Sequence, residues 1–280
     1  MGDRNKIMAY GSPFSHVNGS CNDFIPDRVE WVYDSEFGVG DNLVFFDYNH
    51  DGGLSVPKID GVHKFLWLCE SRGITPEQHR DVYNRKDLFL SEYDGIFTCD
   101  EQLLGLDDRF IRTPNGSNLP WVRDRGIHSK NKMVSMICSG KVTCDGHQVR
   151  NQVASSLNGK IDLFGRGINP IDKKEDGLKD YMFSVAMENT RYETYYTEKI
   201  MDCFATGTIP IYWGSPDIGD HFNLDGIIVL EEDYQDKIKD LSPELYYDKM
   251  DAIKENYERC MEVEMADDLV CDKIMEIVNC

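Results

Sequence analysis

Long apolar runs are missing from this 280-residue chain: segments such as Ile209–Trp213 stop far short of the roughly 20 residues a membrane-spanning helix requires. Membrane insertion is therefore not expected. Positive charge is scarce as well. Thirty Lys and Arg face fifty Asp and Glu, a formal charge of −20, and such a surface repels nucleic-acid backbones and anionic lipid. No nucleic-acid partner is expected. No C-x-x-C pair occurs among nine cysteines, an odd number, which argues against a disulfide framework and against a zinc ribbon. The seven histidines (His16, His50, His63, His79, His128, His147 and His221) show no i,i+4 pair and no H-E-x-x-H, so no metal site is expected. No stretch of about 7–15 apolar residues follows the charges of the N-terminal MGDRNKIMAY, so no secretory signal is read and a cytoplasmic location is expected.

What is present suits a folded α/β chain. Hydrophobic residues make up 41% and charged residues 29%, enough apolar surface to offset chain entropy. Strand-like runs at Lys6–Ala9, Asn42–Asp47, Lys64–Cys69 and Gly95–Cys99 alternate with helical stretches such as Thr75–Tyr83, the pattern of a parallel sheet. A Pro, Gly, Asn and Ser-rich passage, Arg112–Asn131, reads as a linker. The alternation then restarts, with strands at Lys132–Cys138, Ile161–Gly165, Tyr181–Met187, Thr208–Trp213 and Ile227–Leu230. Helices are expected at Asp145–Leu157, at Tyr196–Ala205 and after Ser242. The expectation is two Rossmann-like lobes, 1–125 and 126–280, facing a central cleft, with terminal helices on the second. In such sheets chemistry belongs at the carboxyl ends of strands, where helix N-termini present free amides.

The densest chemistry lies after Tyr181. A strand ends in Glu188-Asn189-Thr190, and Tyr195-Tyr196-Thr197-Glu198-Lys199 opens a helix. An anion at that helix start meets the positive dipole end, an ammonium and a phenol. Taken alone, Glu198 and Lys199 also read as a first-turn glutamate and a solvated lysine.

The ordered strings Met187-Glu188-Asn189-Thr190, Tyr195-Tyr196-Thr197-Glu198-Lys199 and Ile209-Pro210-Ile211-Tyr212-Trp213-Gly214 resemble the signature of family ten glycosyltransferases, the α-1,3-fucosyltransferases. That signature is F-E-N-[ST], then Y-x-T-E-K, then [VI]-P-[VI]-x-x-G. The compact form looks like short, anchor-free members from bacteria and large algal DNA viruses. The resemblance implies a GT-B-like fold and an inverting glycosyltransferase that uses a nucleotide sugar, GDP-fucose in the family. It implies no cofactor or metal, and an oligosaccharide or glycoprotein glycan as acceptor.

Carried over by position, the resemblance implies that Tyr195 and Lys199 meet the phosphates and Glu198 the ribose, with Asn189 and Thr197 as motif members. Arg150, on the Asp145–Leu157 helix, matches the family's diphosphate arginine. Leu66-Trp67-Leu68-Cys69-Glu70-Ser71 resembles the strand end that carries the catalytic base, which makes Glu70 the candidate, Glu188 the next and Asp124 the third. Thr194 and Met187 depart from the family's aspartate and phenylalanine. The base pocket is not legible, so a UDP donor such as UDP-xylose, or a non-catalytic carbohydrate-binding relative, stays open.

Overall fold

The computed structural model describes residues 4–10, 18–22, 24–33, 38, 40–231 and 233–279; His16 and Cys280 lie outside them. The chain divides into two compact units: residues 1–118 together with 264–280, and residues 119–263.

The first unit holds a six-stranded sheet built from β1 (Asn5–Tyr10), β2 (Val29–Val32), β3 (Asn42–Phe46), β4 (His63–Leu68), β5 (Gly95–Thr98) and β6 (Phe110–Arg112). Their order is β2-β1-β3-β4-β5-β6, and every pairing is parallel. Sequence reading finds β1, β3, β4 and β5 and misses β2 and β6. Those two are the sheet's edges, four and three residues long. Short edge strands limit unwanted pairing and give periodicity too few residues to register.

The second unit holds β7 (Lys132–Ile137), β8 (Asp162–Phe164), β9 (Tyr181–Met187), β10 (Ile209–Trp213) and β11 (Ile228–Val229), ordered β11-β10-β9-β7-β8 and again parallel throughout. All seven residues of central β9 are buried, as expected where helices cover both faces of a parallel sheet.

The C-terminus departs from the sequence reading. Three helices follow Ser242: Pro243–Asp248, Met250–Glu262 and Ala266–Val278. The last belongs with the first unit, not the second. Its Ala266, Val270, Cys271 and Ile274 pack in one core cluster with Ile7, Val29, Trp31 and Trp67. Its first turn is also tied down by polar contacts. The buried Asp267 accepts from the Ser20 amide (3.0 Å) and the Trp31 indole (2.7 Å), and Asp268 accepts from the Arg28 amide (2.7 Å). The unit boundary falls at Asn118/Leu119, seven residues before the expected 125/126. No helix among the described residues is long and apolar enough to cross a membrane.

Candidate functional site

The second sheet reverses its winding between β7 and β9, since β8 lies beyond β7 and the later strands lie beyond β9. Loops leaving the two central strands then diverge to opposite faces and open a crevice at the carboxyl end of the sheet. A cavity of about 790 Å³ lies there. Its wall includes Ile137–Lys141 after β7, Ser184–Met187 of β9, and Glu198, Lys199, Asp202 and Cys203 on the first turns of the Glu198–Ala205 helix.

Two glycines let the backbone close around this crevice. At Gly146, in the first turn of the Asp145–Leu157 helix, a Cβ would lie 2.0 Å from the Asn189 carbonyl oxygen. Gly165 adopts φ +133° just past β8, and a Cβ there would lie 1.6 Å from the Cys138 carbonyl oxygen. No other residue type fits either approach.

Five cations line the cavity: Lys141, Arg150, Arg166, Lys174 and Lys199. On a chain of net charge −20, this concentrates positive potential locally. Two of them are paired with two of the cavity's three carboxylates, Glu198 and Asp202, and, among the described residues, not with Asp172. Glu198 Oε1 lies 3.5 Å from Lys174 Nζ and 3.4 Å from Lys199 Nζ. Asp202 Oδ2 accepts from Lys174 at 2.7 Å. The two ammoniums hold Glu198 at about 2, against the desolvation that acts the other way. Glu198 is thus an ionised acceptor at the cavity wall.

Arg150 differs. It is 5% exposed and has no carboxylate within 4 Å among the described residues. Its Nη1 reaches Asn189 Oδ1 only at 3.5 Å, and its buried Nε meets no acceptor among the described residues. A buried guanidinium with an unmet N–H is costly, and an anion in the cavity that Arg150 lines would pair with its charge.

Behind this wall stand the motif residues. Glu188 follows β9, is fully buried, and has both oxygens engaged. Oε1 accepts the Thr197 amide (2.9 Å), and Oε2 accepts the Thr197 hydroxyl (2.6 Å) and the Lys199 ammonium (3.3 Å). Burial pushes its pKa up, opposed by Lys199. Thr197 is the N-cap of the helix and accepts the Lys199 amide, which fixes where the helix starts. Asn189 Oδ1 also accepts from His147 Nε2 at 3.1 Å. The Thr143 amide donates to His147 Nδ1 (3.2 Å), so the ring proton sits on Nε2. Burial and Arg150 both lower the His147 pKa.

Of the residues singled out in the sequence, the structure therefore brings Arg150, Glu198 and Lys199 to one cavity wall. Glu188, Asn189 and Thr197 lie directly behind them. Tyr195 is 1% exposed and is absent from the cavity lining. It sits in the loop after Thr194, whose left-handed φ of +59° is held by Asp217 accepting the Thr194 amide at 2.9 Å. Asp124 is an exposed residue paired with Lys179 at 3.3 Å.

Glu70 follows β4 in the first unit. Its amide donates to the buried Asp47 (3.2 Å), and its carbonyl accepts from His79 Nε2 (3.1 Å). His79 Nδ1 is in turn held by Asp100 at 2.8 Å. The Glu70 backbone is thereby fixed at the carboxyl end of the sheet.

Sequence reasoning missed Lys174, Asp202 and His147. The signal for Lys174 was Lys173-Lys174, the chain's single Lys-Lys pair. Nothing local marks Asp202, which reads as a helix-interior acid. Among the described residues no group of three or more His, Cys, Asp or Glu side chains is placed to hold a metal ion.

Comparison with known proteins adds to this geometry. Residues 127–262 match the family "Glycosyltransferase family 10 (fucosyltransferase) C-term". Over 81 residues the chain is 45% identical to the alpha-(1,3)-fucosyltransferase FucT of Helicobacter pylori, covering 27% of this chain and 17% of that protein. It is 38% identical over 81 residues to a putative fucosyltransferase-like protein of Arabidopsis thaliana, covering 27% and 16%. The chain thus spans less than a fifth of the curated relatives it matches.

Among solved structures, an α1,3-fucosyltransferase with GDP aligns with TM-score 0.56 at 17% identity, covering 99% of this chain and 90% of that one. One with GDP-fucose aligns with TM-score 0.54 at 18% identity, covering 90% and 81%. That likeness shows the fold, an α/β chain with two Rossmann-like lobes of the GT-B kind. Within the second unit, residues 127–262 are similar to the C-terminal domain of glycosyltransferase family 10.

Proposed function

We propose that this chain is a glycosyltransferase whose second unit binds a nucleotide sugar, with GDP-fucose the donor favoured by its relatives. The observation that carries this reading is the five-cation cavity at the switch point, lined by Arg150, which has no carboxylate within 4 Å among the described residues. A diphosphate supplies the acceptor that Arg150 lacks, and Lys199 adds a second cation at the helix start. The ionised Glu198 suits a vicinal diol such as a ribose. Glu188, Thr197 and Asn189 hold these groups in place, and Tyr195 supports the loop from within.

The reaction proposed is a single displacement at the anomeric carbon with inversion. The acceptor hydroxyl of an oligosaccharide or glycoprotein glycan attacks as its proton passes to Glu70, and the bond to the nucleoside diphosphate breaks. Charge grows on the departing diphosphate, where Arg150 and Lys199 stabilise it most in the transition state. Protein cations fill the part that a divalent ion plays elsewhere, so activity is expected to survive EDTA. No cofactor beyond the donor is proposed.

A thermal-shift screen of GDP, UDP, GDP-fucose and UDP-xylose tests the reading, because a ligand that binds the native state raises its apparent stability. A GDP preference selects fucose transfer, and a UDP preference selects another sugar. No shift with any of the four rejects the site. Glu70→Gln is expected to retain donor binding by calorimetry and to lose transfer. Retained transfer moves the base elsewhere, whereas binding without any turnover in the wild type selects a carbohydrate-binding relative.

A further inference from the structure

One oxygen in the cavity is shared between two lysines. Lys199 Nζ donates to Thr197 Oγ1 at 2.9 Å and to Glu188 Oε2 at 3.3 Å, and forms an ion pair with Glu198 Oε1 at 3.4 Å. Two of the three ammonium protons are thus committed to Thr197 and Glu188, and an incoming phosphate must compete with the Glu198 carboxylate for the third. The weakest hold is the one on Glu198, and there Lys174 competes, 3.5 Å from the same Oε1.

Lys174 is itself well anchored. It donates to Asp202 Oδ2 at 2.7 Å and lies 4.6 Å over the Trp121 ring. Asp202 in turn is fixed by the Trp121 and Val122 amides on Oδ1, at 2.5 and 3.0 Å. Glu198 and Asp202 are one turn apart on the same helix face, and Lys174 bridges them.

We infer that Lys174 is a positioning residue: it holds the Glu198 carboxylate toward Asp202, so that Lys199 can turn an N–H from Glu198 to the anionic ligand. This rests on the reading of the cavity as a nucleotide-diphosphate site. Without Lys174, Glu198 Oε1 has Lys199 as its only cation among the described residues. The pair tightens, and the ligand must break it. Charge balance points the same way, because removing Lys174 leaves Asp202 buried beside Glu198 with no cation between them.

The test is a double-mutant cycle in GDP and UDP affinity, measured by calorimetry, on Lys174→Met, Glu198→Gln and the pair. Lys174→Met is expected to weaken binding about tenfold in the wild-type background and less than about twofold in Glu198→Gln, the coupling expected of contacting residues. Lys174→Arg is expected to restore most of the loss. An equal loss in both backgrounds would show Lys174 acting on the ligand directly and overturn the inference.

A ligand-free measurement separates this from the nucleotide reading. Glu198 is held at about 2 by the two lysines, so Lys174→Met is expected to move the acid limb of its titration, followed by carboxyl NMR, to higher pH. An unmoved limb overturns the inference even if nucleotides bind. A moved limb with no nucleotide binding sustains the Lys174–Glu198 link and sinks the ligand assignment alone.

Discussion

Arg150→Met removes the guanidinium while keeping a side chain of similar reach on the Asp145–Leu157 helix. Two effects of opposite sign follow from the geometry. Arg150 is 5% exposed, and among the described residues its Nε has no acceptor and its one hydrogen bond, to Asn189, is 3.5 Å long. Leaving one buried N–H unsatisfied costs about 1–3 kcal/mol, while a long neutral-acceptor bond returns less than about 1 kcal/mol. Removal is therefore expected to stabilise the ligand-free chain by about 1 kcal/mol, or about 2–4 °C in Tm for a domain pair of this size. In the proposed complex the guanidinium pairs with phosphate, a charge-assisted bond of about 1.5–3 kcal/mol. Loss of that bond raises Kd for the nucleoside diphosphate about 10- to 150-fold. Differential scanning fluorimetry with and without nucleotide reads both effects in one experiment. The expected pattern is a higher baseline Tm and a diminished ligand-induced shift. A lower Tm with unchanged affinity would refute the reasoning, because Arg150 would then be a structural residue with no part in binding.

Other expectations follow from single contacts. Lys199→Ala is expected to lower kcat/KM by about 10- to 1,000-fold, about 1.4–4 kcal/mol of transition-state stabilisation; wild-type kinetics in a folded variant would reject the assignment. Gly165→Ala forces a Cβ into the Cys138 carbonyl at positive φ and is expected to cost at least about 2 kcal/mol; a denaturant midpoint equal to wild type contradicts the approach. Burial raises Asp267 to about 6 against the donors from Ser20 and Trp31. Between about pH 4 and 6 the folded first unit then binds more protons than the unfolded chain, so Asp267 makes stability fall as pH rises through that window, by about 3 kcal/mol in total. Denaturant titrations across pH 4–7 are expected to show that slope in the wild type and to lose it in Asp267→Asn.

Local sequence determined the elements and the motif. The runs at Asn42–Phe46, His63–Leu68 and Tyr181–Met187 are long and apolar because central parallel strands are covered on both faces, so they are legible without context. The helix expected at Tyr196–Ala205 was legible from its sequence, and the structure starts it at Glu198, where Thr197 caps it by accepting the Lys199 amide. Arg150 was reachable only through family resemblance. The tertiary structure decided what depends on distant partners. The last helix joins the first unit because Asp267 meets Ser20 and Trp31, more than 230 residues earlier, and no local pattern encodes such a pairing. Edge strands β2 and β6 form because a neighbouring strand offers its hydrogen bonds. Tyr195 turned inward, and Lys174 and Asp202 entered the cavity, because their surroundings come from the loop at Trp121 and the helix at Glu198. Propensity and spacing act over a few residues, whereas burial and charge pairing are set by whichever residues the fold brings together.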